Sequence, residues 1–447
     1  MSKVSTKEKV SYVIANVGNI PVMTLVSSFL SIFYVSVLGM DEFKVGTMFL
    51  VARIFDGVND PLIGYIIDKR PESKFGKFRR ILIVGSIICA LNYALMWFGT
   101  AAAPEALKLT VAYISYLLLG ITFPIMDISI NSLLPVMTDD IKERNTLSSV
   151  KMVGYGIGYA FVGIAAPMLL SMLGSDKKAY LTVIGIFLVV IVVCSVGGAL
   201  GVRQHVHFEN DKHYELKDLF KILFVPPVLI TFLATILYST GASFAGLANT
   251  YYAQYVLGDV GKLTMFTIVQ MLGSFPMVVI VPGLADRYGK KKVYGFGLMV
   301  AGIGYVVKAL CPQATGLGFT LFYLSSFVTG VGSAFSMILS YGIQADNIDY
   351  VEYALDKRSE GAVSALSSMI TKIGSGLGGA IPMYILGATK TAEGNYSLAG
   401  LMISDAYLPC IFCILGGLLF FLKYPLTKEK IEEIHDVLVS RRKGGAE

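Results

Sequence analysis

The sequence predicts an all-α integral membrane protein whose twelve transmembrane helices form two pseudo-symmetric halves of six. Three observations carry that expectation. The 447-residue chain is 55% hydrophobic, only 15% charged, and has a mean hydropathy of +0.66, whereas soluble domains carry roughly 25% charge. Apolar segments of about 20 residues, long enough to cross a bilayer, recur along nearly its whole length. Motifs in the first half also return at matching places in the second.

About twelve spans, each near the bilayer-crossing length, begin near Tyr12, Phe43, Ile81, Leu107, Leu147, Tyr180, Pro226, Lys262, Val293, Leu317, Gly361 and Leu401. The polar stretch from Arg203 to Lys221 separates two sets of six. The expected organisation is an N-terminal half over 1–202, a central cytoplasmic loop over 203–222, a C-terminal half over 223–425 and a cytoplasmic tail over 426–447. With both ends inside, cytoplasmic segments hold 27 of the 37 basic residues. The outer loops hold six, and Arg53, Lys151, Lys308 and Lys372 fall within spans. That bias is the positive-inside pattern of a multi-pass cell-membrane protein with cytoplasmic termini. It also accounts for the net charge of +6 without invoking nucleic acid.

Other classes fit poorly. No cleavable signal peptide is expected, because the apolar run after Lys3, Lys7 and Lys9 is too long for one. The five cysteines lie in or at the ends of apolar segments without metal-like spacing, and the four histidines fall in the central loop or the tail. An enzyme would need a nucleophile–base pair or a metal cluster, so no catalysis and no cofactor is expected. A non-transporting receptor or a carrier of lipids or other amphiphiles stands as the alternative reading.

Charge inside the spans is the functional signal, because an ionisable group in hydrocarbon is expensive. In Arg53-Ile54-Phe55-Asp56-Gly57-Val58-Asn59-Asp60-Pro61, the two acids are helical i,i+4 neighbours with Asn59 between them and Arg53 one turn behind. Side-by-side carboxylates repel, so the pair is expected to share a proton or a small hard cation. Helix fastening through Arg53 is the competing reading.

Two repeats relate the halves. Gly64 and Asp68 with the basic Lys69-Arg70, then Gly76-Lys77, follow the second span; Gly283, Asp286-Arg287 and Gly289-Lys290 follow the eighth. They read as a conformational latch or as ordinary basic loops. The second repeat places Lys151 before Gly154, Gly156 and Gly158, and Lys372 before Gly374, Gly376 and Gly378. Glycines allow close helix approach, and duplicated halves around a midplane site suit alternating access. Lys151 and Lys372 are candidate substrate ligands, with Ser368 beside Lys372; snorkelling to the boundary is the alternative. Asp127, with Asn131 one turn on, is a candidate hydroxyl acceptor. Asp346, Asp349 and Glu352, with Lys357 and Arg358 beyond, suggest a gate of ion pairs or simply a solvated helix end.

Together these features resemble the glycoside–pentoside–hexuronide:cation symporters of the major facilitator superfamily, which include the melibiose and glucuronide permeases. The resemblance covers nearly the whole chain and rests on the motif from Phe49 to Pro61, Gly76-Lys77-Phe78-Arg79, Ile125-Met126-Asp127-Ile128, the stretch from Ala345 to Tyr353, and Lys372. It implies uptake of a sugar or glycoside by a monomer, driven by Na+, Li+ or H+, with Asp56, Asn59 and Asp60 as the cation site. The threonine that completes that site in the melibiose permease corresponds to Pro124, so the coupling ion, Na+ or H+, stays open. The sugar-binding acid of the first helix corresponds to Ile20, preceded by Asn19, and a stacking aromatic corresponds to Asn131. A cavity that loses a carboxylate but keeps two lysines favours an anionic substrate such as a hexuronide.

Overall fold

The computed structural model describes residues 4–68, 76–138, 141–205, 221–310, 315–355, 360–391 and 395–444. Lys357, Arg358, His207 and His213 lie outside these residues, as do the side chains of Asp60, Asp68 and Ser368. Apart from one isolated bridge between Lys390 and Tyr396, the described residues contain no strand. The chain forms two compact units.

The first unit holds six long helices: α1 (Thr6–Leu30), α2 (Glu42–Asp68), α3 (Lys77–Ala102), α4 (Glu105–Met137), α5 (Ile141–Leu173) and α6 (Lys177–Gly201). The second holds α7 (Pro226–Tyr255), α8 (Lys262–Tyr288), α9 (Lys290–Ala309), α10 (Gly316–Leu355), α11 (Glu360–Ala388), α12 (Leu398–Lys423) and the amphipathic α13 (Lys428–Gly444). Residues 259–264, at the start of α8, belong with the first unit, where Thr264 donates to the Ile164 carbonyl at 3.1 Å.

Helix starts follow from local chemistry. Ser5 and Glu8 form a reciprocal capping box on α1. Asp176 caps α6 by accepting from the Ala179 amide at 2.7 Å, and Ser397 caps α12 through Gly400. Gly76 and Gly289 hold nearly the same backbone (φ 84°, ψ 147° and φ 82°, ψ 145°), a region open essentially to glycine alone. Each turns the chain straight into a helix that begins with lysine, so the first repeat is a duplicated turn.

Among the described residues, nine helices are long and apolar enough to cross a membrane. The three not among them, α2, α9 and α11, are long enough at 27, 20 and 29 residues. They are also the helices that carry Arg53, Asp56 and Asp60, Lys308, and Lys372. Large apolar side chains such as Leu91, Val189, Val279 and Leu422 lie exposed on the outer faces, which suits contact with lipid rather than water.

Each unit repeats one packing scheme: α1 against α5 and α6, α3 against α4 and α6, and α2 against α4, mirrored by α7 against α11 and α12, α9 against α10 and α12, and α8 against α10. Glycine makes the approach close. A Cβ at Gly154 of α5 would meet the Val13 carbonyl of α1 at 2.9 Å, and one at Gly374 of α11 would overlap Ser239 of α7. The helices nearest each unit's core carry further polar ties. Asn92 on α3 donates to the Ser115 carbonyl of α4 at 3.0 Å, and Asn347 on α10 donates to Thr231 of α7 at 3.0 Å while accepting from Tyr424 at 2.9 Å.

One tie is ionic. Lys308 of α9 forms a salt bridge with Asp405, which sits in a π-turn (Ile403–Tyr407) inside α12; their side chains are 3% and 0% exposed. Lys308 also donates to Asn249 of α7 at 2.5 Å, and its ammonium lies 4.6 Å from the Tyr252 ring centre and 4.9 Å from that of Phe322. Asn249 and Tyr252 are thus occupied in holding this lysine. Removing one member of such a pair strands a buried charge, at a cost of about 3–5 kcal/mol, whereas replacing both with apolar residues is often neutral. Lys308→Met and Asp405→Leu should each sharply lower the thermal stability of the purified chain, and the double variant should recover most of it; a double variant as weak as either single would refute the pairing.

Candidate functional site

The first unit brings five polar residues of the candidate substrate site together. Asp127 of α4 accepts from Asn19 of α1 at 2.7 Å through one carboxylate oxygen and from Asn131 at 3.1 Å through the other. Lys151 of α5 is within electrostatic reach of Asp127, with its ammonium 5.2 Å from the Tyr155 ring centre. Tyr12 of α1 closes the cluster by donating to the Ile130 carbonyl at 3.3 Å. Each asparagine turns its NH2 group toward the carboxylate, which leaves its carbonyl oxygen over. Among the described residues, Asn19 Oδ1, Asn131 Oδ1 and the neighbouring Asn16 Oδ1 are buried without a donor. A group rich in hydroxyls could supply donors to all three, and burial makes that exchange favourable.

Of the two neighbours that the resemblance marks on the first helix, Ile20 packs and Asn19 makes the polar contact. Ile20 is buried against Gly158 of α5, and the residue before it, Asn19, carries the polar contact to Asp127. One helical step rotates a side chain by about 100°, so a shift of one residue exchanges the packed face for the polar one.

The candidate cation site lies on α2 where it packs on α4. Arg53 Nη1 sits 3.3 Å from Asp56 Oδ2, one turn along the same helix. Asn59 donates through Nδ2 to the Gly120 carbonyl of α4 at 2.6 Å. Gly120 has no side chain to keep α2 away: a Cβ there would overlap Asp56 Oδ1. Tyr116, one turn before Gly120, interacts with Arg53. Thr122 does not face this cluster; it is buried on the α3 side, 3.5 Å from Asn92 Nδ2. Asp60 belongs to the same helix, and its side chain lies outside the described residues.

The remaining candidates are more dispersed. Lys372 is half-buried on α11, where Gly374 and Gly378 press that helix against α7. It thus occupies in the second unit the place that Lys151 occupies in the first. Asp346 of α10 is held by Lys290, the first residue of α9, at 2.7 and 2.9 Å. Asp349 and Glu352 follow it, half-buried, along α10. Asp286 and Arg287 are exposed at the end of α8. The Asp286 backbone carbonyl accepts from Lys428 of α13 at 2.9 Å, and Arg287 lies 5.2 Å from the Tyr288 ring centre. The expected partner Arg358 is not described, and Lys290 was not foreseen. Its signal was the lysine that opens each helix after the duplicated glycine turn.

Comparison with known proteins agrees with this architecture. The family model described as MFS/sugar transport protein matches residues 11–428. A glucuronide carrier protein homolog of Escherichia coli K12 is 26% identical, covering 99% of this chain and 97% of its own length. A putative sulfoquinovose importer of the same organism is also 26% identical over 97% of this chain and 94% of its own. The isoprimeverose transporter of Lactiplantibacillus pentosus is 26% identical over 90% and 85%. Among solved structures, the nucleoside transporter NupG superposes with a TM-score of 0.65 at 13% identity, over 92% of this chain and 99% of that one. A bacterial homolog of the human lysosomal transporter Spinster gives 0.62 at 15% identity, over 93% and 95%. The likeness to these structures supports the major facilitator fold, and the match across almost the whole chain places this multi-pass membrane protein in the MFS/sugar transport protein family: it is a transporter, not an enzyme.

Proposed function

We propose that the chain is a secondary active transporter that couples the entry of Na+ or H+ to uptake of a sugar or glycoside, a hexuronide or glucuronide foremost, by alternating access. The observation that carries this reading is the cluster of Asp127, with Lys151 in electrostatic reach, and buried asparagine oxygens that lack donors. A carboxylate and amide oxygens accept sugar hydroxyls, while an ammonium pairs with a substrate carboxylate. The names of two relatives point the same way, since a glucuronide and sulfoquinovose each combine hydroxyls with an anionic group. Lys372 is the matching cation of the second unit. Asp56, Asn59 and Asp60 form the coupling site: an ion or proton there neutralises excess negative charge inside the membrane, so occupation shifts the balance between conformations. Coupling of this kind is reciprocal, so ion and sugar each raise the other's affinity. Both termini are assigned to the cytoplasm on the distribution of basic residues.

The test is counterflow into proteoliposomes of glucuronides, galactosides and pentosides under imposed Na+ or H+ gradients. One gradient should drive glucuronide uptake, and Asp56→Asn should abolish that drive; uptake of none of these sugars under either gradient would end the symporter reading. Lys151→Met tests the substrate class. A hydrogen bond to a charged group contributes about 1.5–3 kcal/mol, so glucuronide affinity should fall at least roughly tenfold. Affinity for any neutral glycoside that is carried should change far less. Equal losses for both would show that Lys151 positions helices rather than reading charge.

A further inference from the structure

Position 124 departs from the expected hydroxyl, yet it changes a second atom four residues earlier. In an α-helix the carbonyl of residue i accepts from the N–H of residue i+4. Pro124 lies inside α4 and has no N–H, so the Gly120 carbonyl receives no bond from the helix ladder. That oxygen faces α2, where Asn59 Nδ2 reaches it at 2.6 Å. Gly120 also lies directly against the Asp56 carboxylate, since any Cβ would overlap Asp56 Oδ1. Pro124 and Gly120 thus act as a unit: one releases a backbone oxygen, and the other lets a carboxylate and an amide approach it.

We propose that the Gly120 carbonyl is a direct ligand of the coupling ion, standing in for the side-chain hydroxyl that Pro124 lacks, and that the site takes a small alkali cation, Na+ or Li+. The inference rests on reading Asp56, Asn59 and Asp60 as the cation site. A proton on either carboxylate needs no neutral oxygen nearby. A dehydrated alkali ion needs several, and carbonyls released from helix ladders inside membranes are the kind of group that supplies them. The charge count agrees: two carboxylates against the Arg53 guanidinium leave one negative charge, matched by a monovalent ion. Thr122 is turned toward Asn92 and α3, so it does not replace the missing ligand. Without an ion, the Asn59 amide satisfies the carbonyl; when the ion enters, that amide gives way and turns its own oxygen inward. The Gly120 oxygen is therefore satisfied without the ion, and with it α4 adds a backbone ligand to those of α2.

The experiment titrates Na+ and Li+, against choline as control, into the purified full chain and reads the shift in thermal midpoint. The wild type should be stabilised by Na+ or Li+. Pro124→Ala returns an N–H to the Gly120 carbonyl and should weaken the apparent ion affinity by about tenfold or more. Pro124→Val is the second variant should the alanine form not fold. Asp56→Asn should remove the response. If both proline variants bind Na+ like the wild type while Asp56→Asn does not respond, the carbonyl ligand is refuted and the cation site stands. If neither ion stabilises the wild type and only a proton gradient drives uptake, the alkali-ion inference is refuted and Asp56 remains a proton-coupling group. An undiminished Na+ response in Asp56→Asn would refute the cation site itself, and this inference with it.

Discussion

Hydrocarbon offers no hydrogen-bonding partner, so a chain that crosses it must satisfy its backbone polar groups internally. Every other feature of this protein works within that constraint. Long helices meet it by default, and their outer faces can then be entirely apolar. The informative places are those where the ladder is interrupted or an ionisable side chain enters. Pro124 frees a carbonyl, the π-turn at Ile403–Tyr407 carries Asp405, Gly76 starts a helix, and Gly289 ends one helix and starts the next. At the first two places another helix supplies a partner: Asn59 for Gly120, and Lys308 for Asp405.

Duplication explains how one chain can carry both rigid and responsive parts. The two units share a packing scheme, but their interior charges are used differently. In the second unit, Lys308 is locked by Asp405, Asn249 and two aromatic faces, so its ammonium is engaged within the fold. In the first unit, Asp127 is held by two amides whose own oxygens remain unsatisfied. A direct ion pair makes a fastening; a carboxylate held only by neutral amides makes the proposed binding site. Similar residue types therefore serve different ends, according to whether a charge closes on an opposite charge or on amides.

Much of this was legible in the sequence because hydrophobic length and charge placement are local properties. The spans, the acids of α2, and the matched Lys151 and Lys372 could be read directly. The tertiary partners could not. Lys308 was noticeable as an intramembrane lysine, but Asp405 lies almost a hundred residues away, close to a predicted span end, and nothing local joins them. Asn19 and Ile20 differ by one helical step, and only packing against Gly158 decides which of them faces Asp127. Pro124 read as the loss of a hydroxyl because attention falls on side chains. Its larger effect is on the backbone of Gly120, one turn earlier and visible only when Asn59 is seen to reach it.

The same proline bears on how two ligands could sense one another. Gly120 and Asp127 are seven residues apart on α4, about two turns or roughly 10 Å, and so lie on nearly the same face of the helix. The proposed ion site touches the first residue and the proposed sugar site the second. Pro124 lies between them, at the point where the ladder lacks a bond and the helix bends most easily. An ion that draws the Gly120 carbonyl toward α2 changes the angle of the segment that carries Asp127 toward Asn19 and Lys151. A sugar that holds Asp127 in place resists or assists that same bend. Reciprocal coupling then needs no relay of side chains, because a single helix with one weakened joint is the element that both sites bias.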